Sequence, residues 1–294
     1  MLEHSHTAPQ NPQRVVILGA GGFFGQALCQ QLDADSISNI GLKSADLDLC
    51  SDQAQDQLKA LLKPTDSLVI LSALTPDRGR GIDTFMKNLK MIENVCAVLT
   101  DLPLAQVVYF SSDAVYPLGS GLVSESSAAA PTDLYGVMHL SRELMLRQTS
   151  AKNLCILRPT MAYGPTDTHN SYGPNRFRRQ AKAVGKIVIG GEGEETRDHI
   201  YVDDIASLTR LVLLHRSVGV LNLATGQSQD FATVARAVAG LFNEGEGETV
   251  QVCATPRNNA ITHRSFDITA LKQAFPGFTF TPTTTGLQLA HQGN

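Results

Sequence analysis

Three glycines, Gly19, Gly22 and Gly25, follow the apolar run Val15-Val16-Ile17-Leu18 and precede a helical pattern from Gln26 to Leu32. The order reads as strand, tight turn and helix. Glycines at such a turn let the backbone approach a diphosphate, which then sits on the unpaired N–H groups and the positive dipole end of the helix. That is the chemistry of a dinucleotide cradle, with Phe23 and Phe24 inside it. The spacing is GxxGxxG, since Phe24 breaks the alternative GxGxxG. A glycine pattern alone also serves a ligand-free strand-turn-helix.

Further polar groups stand at the ends of apolar runs. Lys43 lies at the exit of a second strand predicted over Ser36 to Leu42. An acid there grips the adenosine ribose, whereas a basic residue suits a 2′-phosphate. Lys43 therefore reads either as an NADP preference or as a solvated loop lysine. Asp46, Asp48 and the adjoining Leu49 fit the adenine edge or a surface turn. The strand at Asp66 to Ala73 ends in small residues, which makes Ala73, Leu74 and Thr75 candidate cofactor neighbours. Gln106 to Phe110 is a strand with the polar exit Ser111-Ser112-Asp113-Ala114-Val115-Tyr116-Pro117. A helix beginning near Asp133 carries Tyr135 and His139, four apart and hence on one face. Leu154 to Leu157 is a strand ending in Arg158-Pro159, with Tyr163-Gly164-Pro165 beyond.

Strands alternating with helices imply a parallel sheet covered on both faces, with ligands at the carboxyl ends of the strands. All the polar motifs above fall at such ends. The expected fold is α/β, a Rossmann doubly wound parallel sheet with a small C-terminal substrate-binding lobe. Residues 14–165 and about 200–224 form the dinucleotide-binding domain; about 166–199 and 225–294 form the lobe. Residues 1–13, polar and holding His4, His6, Pro9 and Pro12, are expected to be a flexible tail.

At 294 residues the chain can build a sizeable core, and 43% hydrophobic with 18% charged residues is a globular composition. A net charge of −4 argues against a general nucleic-acid binder. No apolar run approaches the ~18 residues of a membrane helix. The five cysteines form no CxxC pair and suit free thiols in a reducing cytoplasm. No metal site is expected, His4 and His6 being read as incidental.

The motifs Gly19-x-x-Gly22-x-x-Gly25, Ser111-Ser112-Asp113-Ala114-Val115-Tyr116, Tyr135-Gly136-x-x-His139-x-x-x-Glu143, Arg158-Pro159-x-x-x-Tyr163-Gly164-Pro165 and Arg197-Asp198-His199-Ile200-Tyr201-Val202-Asp203-Asp204 occur in this order. Together they resemble the extended short-chain dehydrogenase/reductase family of NAD-dependent nucleotide-sugar epimerases, dehydratases and keto-reductases. The resemblance covers roughly residues 14 to 285. It implies NADP, preferred through Lys43, or NAD as cofactor, a nucleotide-linked sugar as substrate, and a homodimer.

By this resemblance Tyr135 exchanges a proton with the reacting oxygen while Ser112 polarises it, as a developing alkoxide requires. The family carries lysine four residues after the tyrosine; His139 stands there, able to bond the nicotinamide ribose and, when protonated, to assist Tyr135. That departure leaves open a cofactor-binding member with weak or lost catalysis. Ala114 replaces the glutamate that serves as elimination base in similar dehydratases, leaving epimerisation or keto-reduction. Pro159 joins the expected cofactor contacts. On the substrate side, Arg197 and Arg257 match positions that hold the nucleotide diphosphate through paired hydrogen bonds. Asp113 and Asn175 are further substrate candidates, Asn175 being equally a turn residue. His169 is a possible extra proton donor. A reductase of a small ketone without a nucleotide is the remaining alternative.

Overall fold

The computed structural model describes residues 2–119, 121–167, 173–243, 249–257 and 260–293. In chain order the first half holds β1 (Glu3–His4), β2 (Val15–Leu18), α1 (Phe23–Ala34), β3 (Asn39–Leu42), α2 (Ala54–Leu61), β4 (Ser67–Ile70), α3 (Ile82–Asp101), β5 (Gln106–Phe110), β6 (Gly121–Val123) and α4 (Leu134–Ser150). Then come β7 (Leu154–Pro159), β8 (Met161–Tyr163), α5 (Pro174–Val184), β9 (Lys186–Gly190), β10 (Thr196–Tyr201), α6 (Val202–Leu214), β11 (Ser217–Leu223) and β12 (Ser228–Asp230). The chain closes with α7 (Phe231–Phe242), β13 (Gln251–Thr255), β14 (Arg264–Phe266), α8 (Thr269–Ala274) and α9 (Thr283–Gln292).

Seven strands form the main sheet in the order β1-β11-β7-β5-β4-β2-β3, parallel except for β1. Its central strands are apolar runs buried on both faces, as parallel strands covered by helices must be. One apolar cluster joins Val15, Ile17 and Val69 to Leu28, Leu32, Leu208 and Val212 of α1 and α6. The opposite face joins Val16, Leu18 and Ile70 to Leu58, Ile92, Val95 and Leu146 of α2, α3 and α4. From β2 the chain builds outwards to β3, then returns to place β4 on the other side of β2. That reversal opens a crevice at the carboxyl ends of β2 and β4, where open α/β sheets bind ligands.

A third cluster packs α5, α7 and α9 around Phe177, Ile187, Phe231, Val238 and Leu287. The pairs β9–β13 and β6–β14 and the three-stranded sheet β12-β10-β8 complete this side of the molecule. Pro174 in the first turn of α5 and Gly185 at its end, with φ +62°, mark a helix that starts and stops where its backbone chemistry allows.

Two expectations change. Residues 3–10, expected as a loose tail, are tied down. Glu3 and His4 pair antiparallel with Val218 and Ser217, His4 bonds the Ser217 hydroxyl at 2.8 Å, and His6 and Gln10 donate backbone N–H groups to His215 and Leu214. The second strand of the parallel run starts at Asn39 rather than Ser36, because Ser36 takes φ +55° to leave α1.

Candidate active site

The glycine turn joins β2 to α1, and backbone contacts explain two of its glycines. Gly19 holds φ +95°, and a Cβ on it would stand 2.8 Å from the Ser72 amide nitrogen. A Cβ on Gly25 would stand 2.4 Å from the Gly19 carbonyl oxygen. Only a bare backbone lets α1 seat so closely. Gly22 begins α1 with no side chain capping it and no acid in the first turn. The helix start therefore presents backbone N–H groups and its positive dipole end, which fits a dinucleotide diphosphate.

Lys43 reaches back over this turn, since a Cβ on Gly21 would meet its Cγ at 3.2 Å. Phe24 packs on Phe110 with ring centroids 5.6 Å apart, and the Phe23 ring approaches Gly164. Beyond β4, Leu74 gives its N–H to and takes a bond from the Asn88 side chain, at 2.8 and 2.9 Å. Asn88 is buried on α3 and fixes the path of Ala73 and Leu74 past the turn. Pro159 ends β7 beside Leu223.

Two expected cofactor contacts have other duties. The Leu49 side chain lies in the core, and its carbonyl accepts from Asn94 at 2.8 Å. Asp48 is exposed and closes a local turn on the Cys50 N–H at 2.9 Å.

At the exit of β5 the Ser112 hydroxyl accepts from the Ala114 N–H at 3.1 Å, capping a short turn over Asp113–Val115. A Cβ on Gly136 would stand 2.2 Å from the Ala114 carbonyl oxygen, so glycine lets the first turn of α4 lie against that cap. Asp133 caps α4 by accepting from the Gly136 N–H at 2.8 Å. The result sets Tyr135, in the first turn of α4, beside the Ser112 cap. Burial pushes Tyr135 up to about 12, with the Ser112 hydroxyl and the Arg142 charge working the other way and Asp113 and Asp133 adding to the rise. Asp113 itself pairs with Arg264 at 3.0 Å, so its expected substrate contact is already engaged.

His139 is buried, bonds the Tyr109 hydroxyl through Nδ1 at 2.7 Å, and stands edge-on to the Tyr135 ring at 4.7 Å. Its Nε2 has no hydrogen-bond partner. Burial, reinforced by the Arg142 charge, holds its pKa well below the ordinary value. His139 is therefore neutral at pH 7, and the protonated form that could assist Tyr135 is disfavoured by its burial.

A buried polar brace behind these residues has only partial traces in sequence. Glu143 accepts from Ser111 at 2.6 Å and from Arg158 Nε and Nη2 at 2.9 and 2.6 Å. Arg158 also donates to the Tyr116 hydroxyl, which donates to Asn222, each at 2.8 Å. This chain ties β5, α4, β7 and β11 together around Ser112. Glu143, Arg158 and Tyr116 lay inside the recognised motifs; their mutual contact is a property of the fold.

On the lobe side, Arg197 and Arg257 converge on one carboxylate. Arg197 Nη2 bonds Glu195 Oε1, and Arg257 Nη1 meets Glu195 Oε2 at 3.2 Å. Arg197 further donates to the Thr262 hydroxyl and carbonyl, each at 2.6 Å, and Arg257 to Glu194 at 3.1 Å. Both guanidinium groups are thus brought together as the sequence suggested, with Glu195 between them. Glu195 stands just before β10, two residues from Arg197, and that close spacing of acid and base is a signal that could have found it. Asn175 is buried, with Nδ2 on Asp167 at 2.5 Å and Oδ1 accepting from the Gly164 N–H at 3.3 Å; it anchors α5 and is spent on the protein. His169 lies outside the described residues.

Comparison with known proteins accords with this arrangement. The model of the NAD-dependent epimerase/dehydratase family matches residues 15–224. Among solved structures, a GDP-L-fucose synthetase from Naegleria fowleri superposes with TM-score 0.85 at 16% identity, covering 99% of this chain and 96% of that one. RMD from Pseudomonas aeruginosa, complexed with NADPH, gives 0.80 at 20% over 96% and 98%. UDP-N-acetylglucosamine 4-epimerase from Bacillus cereus gives 0.79 at 21% over 95% and 98%. These likenesses establish the shared fold. With the glycine turn at the sheet crevice and a family match spanning most of its length, the chain belongs to the NAD-dependent epimerase/dehydratase family.

Proposed function

We propose that this protein is an NAD(P)-dependent keto-reductase or epimerase acting on a nucleotide-linked sugar. The observation that carries the reading is the placement of Ser112, capping the exit of β5, next to the first turn of α4 that carries Tyr135 and that Gly136 lets lie against that cap. When bound, the nicotinamide supplies or accepts a hydride at the reacting carbon. The glycine turn and the start of α1 would hold its diphosphate, with Ala73, Leu74 and Pro159 along its path. Ser112 donates a hydrogen bond to the substrate oxygen, and Tyr135 gives up its phenolic proton as negative charge grows there. A phenol held near 12 is protonated at neutral pH, which suits reduction of a ketone better than oxidation of an alcohol.

Ala114 offers no carboxylate for proton abstraction from carbon, which favours reduction or epimerisation over dehydration. Lys43, poised over Gly21, favours NADP, and RMD with its NADPH is a relative in fold that supports this. Exposed Ile82 and Met86 on α3 and Val137 and Leu144 on α4 give two adjacent helices an apolar face suited to a homodimer. Five unpaired cysteines fit the reducing cytoplasm. A small ketone without a nucleotide is the second reading, favoured by Glu195 and Glu194, whose two carboxylates pair with the two guanidinium groups meant for a diphosphate.

The test is Tyr135→Phe, assayed with NADPH and a panel of nucleotide sugars and small ketones. Turnover is expected to fall about 10²- to 10⁴-fold with cofactor binding retained. Equal rates in the variant and the wild type would overturn the reading.

A further inference from the structure

Arg264 begins β14 and is buried, 151 residues along the chain from the acid it meets. Its guanidinium closes on the turn after β5 with both prongs. Nη1 donates to the Asp113 carbonyl at 2.9 Å and to Asp113 Oδ2 at 3.0 Å, and Nη2 donates to the Tyr116 and Pro117 carbonyls, each at 3.0 Å. Three of these acceptors are main-chain oxygens, so the ion pair with Asp113 accounts for one bond of the four. The others fix where the turn begins and where it ends. Ser112 caps this turn: its hydroxyl accepts from the Ala114 N–H at 3.1 Å and its carbonyl from the Val115 N–H at 3.3 Å. A hydroxyl that accepts from the turn keeps its own proton free to donate elsewhere. The Ala114 carbonyl, in the same turn, is the atom against which Gly136 and the start of α4 are seated.

We propose that Arg264 is a positioning residue for Ser112: its fork holds the Asp113–Val115 turn at both ends and so fixes where the Ser112 hydroxyl stands and points. The shape of the group suits this task. A guanidinium offers paired N–H groups in one plane, whereas an ammonium is a point charge on a flexible stem. The lobe in turn holds Arg264. Its carbonyl accepts from the Ser228 hydroxyl at 3.0 Å, β14 pairs with β6 from Gly121 to Val123, and Phe266 packs with Val115, Tyr116 and Val123. Two residues before it, Thr262 takes two bonds from Arg197, each at 2.6 Å. One short stretch of chain therefore joins the paired guanidinium groups of the lobe to the turn that carries Ser112. Such a link matters because a misplacement of about 1 Å in a reacting group can cost about 100-fold in rate.

The consequence for turnover rests on the catalytic reading of Ser112; the consequence for the turn does not, and hydrogen exchange separates them. Arg264→Met removes all four bonds. Arg264→Lys keeps a charge beside Asp113 without the fork, and serves if Arg264→Met does not fold. Exchange of the Ala114 amide is followed by NMR in the full-length protein, with the buried amides of Val69 in β4 and Val238 in α7 as gauges of global stability. In either variant the Ala114 amide is expected to exchange about tenfold faster or more, with the gauge amides unchanged. On whichever substrate of the panel is turned over, kcat should fall about 10- to 100-fold while the affinity for NADPH stays within about twofold. In an active enzyme, an Ala114 amide or a kcat left at the wild-type value overturns the proposal, as does a rise in exchange shared by all three amides. An Arg264→Lys protein that matches the wild type also overturns it, since the ion pair alone would then suffice. A faster Ala114 amide in a protein that turns over none of the substrates supports the proposal for the turn and overturns the catalytic reading instead.

Discussion

The Tyr109 hydroxyl and His139 Nδ1 meet at 2.7 Å inside the protein, joining the last turns of β5 to α4 with both side chains shut away from water. The bond uses one ring nitrogen of a histidine whose other nitrogen already has no partner. Tyr109→Phe would leave the imidazole with none. A loss of about 1–3 kcal/mol is expected, measured by urea unfolding. His139→Lys is expected to destabilise as well, because it sets a second buried cation beside Arg142.

Acid should loosen the fold through its buried histidines. Burial, with the Arg197 charge, holds His199 down at about 4, against about 6.5 in an unfolded chain. Between those values the unfolded state takes up a proton that the folded state refuses. Stability is therefore full above pH 6.5 and falls as pH drops towards 4, by about 1.4 kcal/mol per unit for this group. His139 acts in the same direction. His199→Phe, which keeps an aromatic ring against Phe231, should flatten this part of the stability profile; the same slope in both proteins would assign it elsewhere.

Glu195→Gln decides between the two substrate readings. With the carboxylate that joins Arg197 and Arg257 neutralised, UDP or GDP should bind about tenfold more tightly by calorimetry, and adding Arg197→Ala should erase the gain. If neither protein binds any nucleoside diphosphate, the substrate carries no nucleotide.

The Lys43 stem rests over Gly21 and leaves its ammonium exposed at the edge of the glycine turn. Lys43→Asp is expected to weaken NADP binding about 10- to 100-fold relative to NAD, the scale of a charge-assisted hydrogen bond. An unchanged ratio of the two affinities would remove Lys43 from cofactor choice.

The sheet was legible because its strands are short contiguous apolar runs, such as Val15 to Leu18 and Gln106 to Phe110, each followed by glycine or serine. Ser112 and Tyr135 were legible because a strand exit and a helix start are local signals. β1 escaped because two polar residues become a strand only by borrowing partners more than 200 positions away. Arg264 escaped because it lies outside every motif, and nothing in its neighbours along the chain tells that its guanidinium will close on the Ser112 turn. Asp113 was a substrate candidate and Asn175 either a substrate contact or a turn residue, and the fold engages both with its own side chains, Arg264 and Asp167.

β11 is the last long strand on its side of the large sheet, and its outward N–H and C=O groups would offer a template to any extended chain in solution. Glu3 and His4 close one end of that border by pairing with Val218 and Ser217, and the Glu125 carboxylate takes the Asn222 N–H at 2.8 Å near the other. The opening segment thus guards against strand addition between molecules. A protein trimmed of it would expose an open ladder, and its first symptom would be self-association rather than a lost activity.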